Sequence, residues 1–311
     1  MDKRKLILDC DPGHDDAIGI MLAGRNPGID LMGITVVSGN QTIENTVRNA
    51  LNVCQYLDLD VPVYPGAPNP MVRVRPPVAA DIHGRTGLDG PVFEPLTRRA
   101  QDKHAALYMI DALRAAQEPV TIVTTGPMTN LALAMRLAPD ILPKIGEIAF
   151  MGGSYGLGNV TPAAEFNIIT DAEAAYVVFN SGCKLTMVGL DVTRKVLCLP
   201  SIVDRMERIG NRASRLFVDL ARFFNKTQKE VFGWEGGPLY DPLTIAWLID
   251  PSVLTLKPMH CQVDIRSTDS YGRTNCDYFS YHKREPNVNV AVEVDVERFW
   301  DIIEEEIRRY D

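Results

Sequence analysis

Residues 6–23 read LILDCDPGHDDAIGIMLA, and this stretch carries the main clue to the fold. Lys5–Leu8 is a short apolar-ended run suited to a buried strand. Pro12-Gly13 turns the chain, and Asp15–Ala23 then reads as a helix ended by Asn26-Pro27. A strand that turns directly into a helix opens a βαβ unit, and open α/β sheets build their sites at the carboxyl ends of such strands. At that end lie Asp9, Asp11, Asp15 and Asp16. Asp9 and Asp11 are two apart and face the same way on extended backbone. At about 4 Å and an effective dielectric near 20, one like-charged pair costs roughly 4 kcal/mol. The helix N-terminus offsets only about 0.3–1 kcal/mol, and capping needs one carboxylate. The cluster therefore points to a divalent cation. Its all-oxygen chemistry favours calcium or magnesium over zinc, and its spacing is not that of an EF-hand.

The same alternation continues outward. Strands are expected at 31–37, 61–64, 120–124, 145–151 and 185–189. Helices are expected at 42–57, 105–116, 129–137 and 171–180. Residues 65–103 form a long Pro- and Gly-rich excursion, 201–230 reads as helical, and strand-like alternation from about Thr255 leads to a helix near 296–309. Strands separated by helices predict an α/β fold with an open, mostly parallel central sheet flanked by helices. No linker or repeat divides the chain, so residues 1–311 are expected to form a single domain.

Composition narrows the function classes. The chain has 32 Lys+Arg against 40 Asp+Glu, a net charge of −8, and no basic run, which argues against nucleic-acid binding. The six cysteines (Cys10, Cys54, Cys183, Cys198, Cys261 and Cys276) form no CxxC pair and read as small buried hydrophobes in a reducing compartment. The apolar run before Asp9 is too short for a signal-peptide core, and no stretch has the length of a membrane span. A cytoplasmic protein without a membrane partner is the expectation.

DCDPGHDDA at residues 9–17 resembles the signature of the inosine-uridine-preferring nucleoside hydrolase family. Further motifs follow in that family's order: Ser38-Gly39-Asn40, Thr124-Thr125-Gly126-Pro127, Met151-Gly152-Gly153, Asn159, Glu165-Phe166-Asn167, and Asp241 within GGPLYDP. The likeness is nearest to bacterial pyrimidine-preferring ribonucleoside hydrolases and extends over the whole chain.

The resemblance implies calcium-dependent hydrolysis of the N-glycosidic bond of ribonucleosides, pyrimidine nucleosides preferred, to ribose and free base. It implies Ca2+ ligation by Asp11, Asp16, Asp241 and the Thr125 carbonyl, with Asp15 as general base on the attacking water and Asp9 orienting its neighbours. Asn40, Asn159, Glu165 and Asn167 would hold the ribose, with Met151 beneath it. Such groups suit a reaction that builds oxocarbenium character on the sugar. His83, in DIHGRTGLDG, would lie near the base and act on the leaving group, and a homotetramer is implied. No role is assigned to His14, which is expected on a turn.

One position departs from the family pattern. Relatives usually carry histidine before the late aspartate, whereas this chain has Tyr240. A phenol with a reference pKa near 10 is a poorer proton donor at neutral pH. His83, Tyr240 and Trp234, with Phe232 nearby, are therefore expected to shape the base pocket, and purine or modified nucleosides become alternative substrates. Readings from other classes are weaker. Gly152–Gly156 matches GxSxG, but a nucleophilic Ser154 needs a following helix that Gly158, Asn159 and Pro162 disfavour. A magnesium phosphotransferase leaves Asp241 and the Asn/Glu/Asn set idle. A nucleoside-binding protein without catalysis leaves Asp15 idle.

Overall fold

The structure, a computed structural model, describes residues 3–74 and 78–310. Part of the Pro-rich excursion, Arg75-Pro76-Pro77, lies outside the described residues. The first half runs β1 (Arg4–Cys10), α1 (His14–Arg25), β2 (Ile29–Val36), α2 (Ile43–Tyr56), β3 (Val63–Pro65), α3 (Ala80–His83), α4 (Ala105–Ala115), β4 (Val120–Thr124), α5 (Thr129–Leu137) and β5 (Ile145–Met151). The second half runs α6 (Phe166–Thr170), α7 (Ala172–Phe179), β6 (Leu185–Val188), α8 (Leu190–Thr193), α9 (Pro200–Glu207), α10 (Arg212–Phe232), α11 (Pro242–Ile249), β7 (Leu254–Met259), β8 (Cys261–Val263), β9 (Thr274–Cys276), β10 (Val288–Val294) and α12 (Val296–Ile307).

Among the described residues, eight strands form one sheet in the order β3-β2-β1-β4-β5-β6-β10-β7. All neighbours are parallel except β10 and β7, so the expected mostly parallel sheet is found. Chain order reverses around β1, which lies between β2 and β4. In register, Asp9 faces Thr35 on one side and Thr124 on the other. The loops after β1, β2, β4 and β5 therefore emerge together, at the kind of switch point where open α/β sheets place ligands.

Two apolar layers cover the sheet. Leu6, Leu8 and Cys10 of β1 pack into the layer built with α1, α10, α11 and α12. Ile7 packs into the opposite layer with α4, α5 and α7. This alternation is the period of two expected of a strand buried on both faces.

Three local departures from the sequence expectation have physical reasons. The 201–230 segment is two helices, because Gly210 takes φ 76° and Asn211 caps the second, its side chain accepting from Ser214 N at 2.8 Å. Helix α11 has no amphipathic period because it is buried from Pro242 to Leu248. Finally, the excursion carries the short helix α3, which ends at His83.

Candidate active site

The carboxylates are assembled by two chain reversals. Asp9 lies in the buried part of β1, where its Oδ1 accepts from Thr35 Oγ1 at 2.7 Å and Asn130 Nδ2 at 2.8 Å. Asn130, on α5, also donates to Val36 O at 3.0 Å and accepts from Ala67 N at 2.8 Å. Asp9 thus fastens β1, β2 and α5 together, and burial pushes its carboxyl up to about 7. Asp11 follows the strand. Its Oδ2 accepts from Asn40 N at 2.6 Å, while its Oδ1 is buried and has no partner among the described residues. Gly39 and Gly126 close over it so tightly that a Cβ at either position would collide with the Asp11 carboxylate. This is the physical content of the glycines in SGN and TTGP.

Helix α1 presents the next two acids in its first turn. Asp16 Oδ2 accepts from Gly13 N at 2.9 Å and Asn40 Nδ2 at 3.2 Å, and its Oδ1 accepts from Thr125 Oγ1 at 2.7 Å. Asp241 arrives from the start of α11, and one oxygen each of Asp15, Asp16 and Asp241 fall within 4.8 Å of one another. All three are buried. Burial raises Asp16, and burial with repulsion between neighbours raises Asp15 to about 7 and Asp11 and Asp241 well above the usual carboxylate range. An unpartnered Asp11 oxygen and a knot of carboxylates with raised pKa values fit a hard, oxygen-seeking divalent cation.

Above the knot, a cavity of about 700 Å³ is lined by Asp15, Asn40, His83, Thr125, Met151, Asn159, Glu165, Asn167, Trp234, Tyr240 and Asp241, among others. Asn167 Nδ2 donates to Thr125 O at 2.7 Å and Met151 O at 3.1 Å. Glu165 caps α6, its carboxylate accepting from Gly153 N at 3.0 Å, Asn167 N at 2.9 Å and Ile168 N at 3.1 Å. Burial nevertheless raises its pKa to about 7. Asn159 is exposed at the rim, its Oδ1 accepting from Phe166 N at 2.9 Å. Phe232 and Trp234 stack with centroids 5.1 Å apart on another part of the wall. Tyr240 is half-buried, and burial together with the Asp15 carboxylate pushes its hydroxyl pKa upward.

His14 corrects the sequence expectation. It begins α1, is fully buried and reaches His83 from beneath. Its Nε2 lies 2.7 Å from Asp89 O, its Nδ1 lies 3.1 Å from His83 Nδ1, and its ring stacks on Phe223 at 5.1 Å. Burial lowers the pKa of His14 to about 4 and that of His83 well below its usual value. Arg194 is a second residue that sequence reading missed. It lines the cavity and its guanidinium donates to Leu157 O at 3.1 Å and Gly158 O at 2.6 Å, bracing the segment before Asn159. No motif marks it. Ser154 is no free nucleophile, since its Oγ lies 3.0 Å from both carboxylate oxygens of Asp191 and no helix begins before Phe166.

The family model for inosine-uridine preferring nucleoside hydrolase matches residues 6–301. The pyrimidine-specific ribonucleoside hydrolase RihB of Escherichia coli is 53% identical over 310 residues, covering 100% of this chain and 99% of the relative. The RihB of Escherichia fergusonii matches to the same extent. A purine-preferring ribonucleoside hydrolase from Gardnerella vaginalis superposes with a TM-score of 0.92 at 35% identity, covering 98% of each chain. Together with the carboxylate knot beneath a polar cavity, these likenesses show that the chain belongs to the inosine-uridine preferring nucleoside hydrolase family and is a ribonucleoside hydrolase.

Proposed function

We propose that the enzyme hydrolyses pyrimidine ribonucleosides and that the cation is Ca2+, held by Asp11, Asp16, Asp241 and the Thr125 carbonyl. The observation that carries this reading is the convergence of Asp15, Asp16 and Asp241 within 4.8 Å at the floor of the cavity. Calcium is favoured because the donor set mixes carboxylates with a carbonyl and leaves room for hydroxyl oxygens. When bound, the cation supplies Lewis acidity that brings the pKa of water toward neutrality.

The chain's own residues do the remainder. Asp15 belongs to the same knot, and its carboxylate takes the proton of the attacking water. Asn40 and Asn167 hold ribose hydroxyls, and Met151 packs beneath the sugar. Glu165 opposes the positive charge that grows on the ring as the C1′–N bond lengthens. Asn159 closes the exposed rim, and Asp9 keeps the ends of β1 and β2 in place. The departing base needs a proton or a hydrogen bond. His83 is held neutral by burial, whereas Tyr240 keeps its hydroxyl proton at pH 7. Tyr240 therefore donates a hydrogen bond to the base, and His83, Phe232 and Trp234 shape its pocket.

Purine or modified nucleosides form the second reading, favoured by the Phe232–Trp234 stack and by Tyr240. Its plausibility rests on the fold as well, since a purine-preferring enzyme shares it closely. The test is release of free base from uridine, cytidine, inosine and adenosine, with calcium and with chelator. Chelator-sensitive release led by uridine and cytidine supports the first reading. A lead by inosine or adenosine supports the second, and release unaffected by chelator overturns the cation's role. A cytoplasmic homotetramer, implied by resemblance, is tested by sedimentation of the purified protein and by fractionation of cells.

A further inference from the structure

Strands β8 and β9 form a separate antiparallel hairpin in which Cys261 pairs directly with Cys276. The flanking hydrogen bonds fix the kind of pair. Asp264 N donates to Arg273 O at 2.9 Å and Asp277 N donates to His260 O at 2.9 Å, so residues 264/273 and 260/277 are hydrogen-bonded pairs. Alternation then makes 261/276 a non-hydrogen-bonded pair. The other edge agrees: Cys261 N donates to Asn287 Oδ1 at 2.8 Å and Cys261 O accepts from Asn287 Nδ2 at 3.0 Å, away from β9. In such a pair the Cα atoms lie about 4.5 Å apart with side chains on the same face, within the roughly 4.4–6.8 Å that a disulfide spans. Both cysteines are free thiols here, Cys261 buried and Cys276 half-buried.

We propose that Cys261 and Cys276 are a redox pair that closes reversibly into a cross-strand disulfide. The oxidant is a low-molecular-weight disulfide. The accessible Cys276 thiolate attacks it, forming a mixed disulfide and releasing one small thiol. The Cys261 thiolate then attacks the Cys276 sulfur and releases the second small thiol. Two protein thiols lose two electrons and two protons, and one small disulfide becomes two small thiols.

The bond acts on the loop beside the active site. Thr274 precedes Cys276 by two residues and shares its face of the hairpin. Its hydroxyl donates to Ser154 O at 2.6 Å and accepts from Ser154 N at 2.9 Å. The neighbouring Gly153 N donates to Glu165 at 3.0 Å. Joining the sulfurs therefore pins the hairpin that supports the Gly153–Ser154 turn. The remaining cysteines offer no equal site: Cys10, Cys54 and Cys198 are buried in the core, and Cys183 precedes β6 with its Sγ toward Leu142 O.

The full-length enzyme is incubated with oxidised glutathione and analysed by intact mass and by non-reducing peptide mapping. The expected result is loss of two hydrogens, a linked peptide containing Cys261 and Cys276, and reversal by dithiothreitol. The melting midpoint should rise by about 5 °C on oxidation, with no such rise in C276S or C261S. A lasting glutathione adduct on Cys276, linkage through any other cysteine, or no change in mass overturns the pair. An oxidised form that melts no higher than the reduced form overturns the pinning. Mapping of the wild type stands even if a variant fails to fold.

Discussion

His14 Nδ1 lies 3.1 Å from His83 Nδ1, at the junction of α1 and α3, and the contact orients the two rings. Asp89 O can only accept, so His14 carries its proton on Nε2, 2.7 Å away. A neutral His14 then turns a lone pair on Nδ1 toward His83 Nδ1. His14 N–H points at the same His83 nitrogen at 3.4 Å, a longer contact.

Replacing His14 tests this arrangement. His14→Phe keeps a ring against Phe223 but removes the hydrogen bond, so His83 loses its orientation. The expected result is a roughly tenfold fall in kcat/KM for uridine, from the loss of a buried hydrogen bond, with calcium affinity unchanged. An unaltered kcat/KM would remove His14 from the positioning of His83.

Asp15→Asn keeps the shape of the floor and removes the base. Turnover should drop on the order of 10²–10⁴-fold, while ribose still protects the variant against thermal unfolding. Near wild-type turnover would assign proton removal elsewhere.

The glycines over Asp11 give a steric test. Gly126→Ala places a methyl group against the Asp11 carboxylate and must displace it. Calcium affinity, followed by isothermal titration, should weaken about 10–100-fold, as for other disturbed ligand supports. Retained affinity would argue that Asp11 lies outside the cation's shell.

Stability should depend on pH in a direction opposite to ordinary acid denaturation when the protein is free of metal. Asp15 and Glu165 ordinarily titrate near 3.8 and 4.5 but are raised to about 7 in the fold. The folded state therefore holds protons that the unfolded chain releases, and their stabilising effect is lost as pH rises from about 4 through 7. The melting midpoint of chelated protein should fall between pH 5 and pH 8. The increment on adding calcium should grow over the same range, because protons compete with the cation. A chelated midpoint that rises with pH would contradict the raised pKa values.

Tyr240→Phe removes the hydroxyl while leaving the ring. If the hydroxyl donates to the leaving base, kcat should fall at least tenfold with little change in KM. Tyr240→His should restore activity and alter the ranking of nucleosides. Equal rates for wild type and Tyr240→Phe would return leaving-group activation to another residue.

Much of this site was legible in the sequence because it is local. Asp9 to Asp16 fit on one strand end, one turn and one helical turn, so spacing alone puts these acids at one end of the sheet, and the αβ alternation dictates the parallel sheet that carries them. The motifs at 38–40, 124–127 and 151–153 each follow a strand, and parallel strands put such loops on one edge. What only the tertiary structure decided depends on contacts between distant segments. The His14–His83 contact, the Arg194 brace and the pairing of Cys261 with Cys276 each join residues far apart in the chain. So does the squeeze of Gly39 and Gly126 on Asp11. Periodicity reports which face of an element is apolar. It carries no information about which polar atoms meet once two faces are packed, because that is fixed by the register of the sheet and the close packing of the helices upon it.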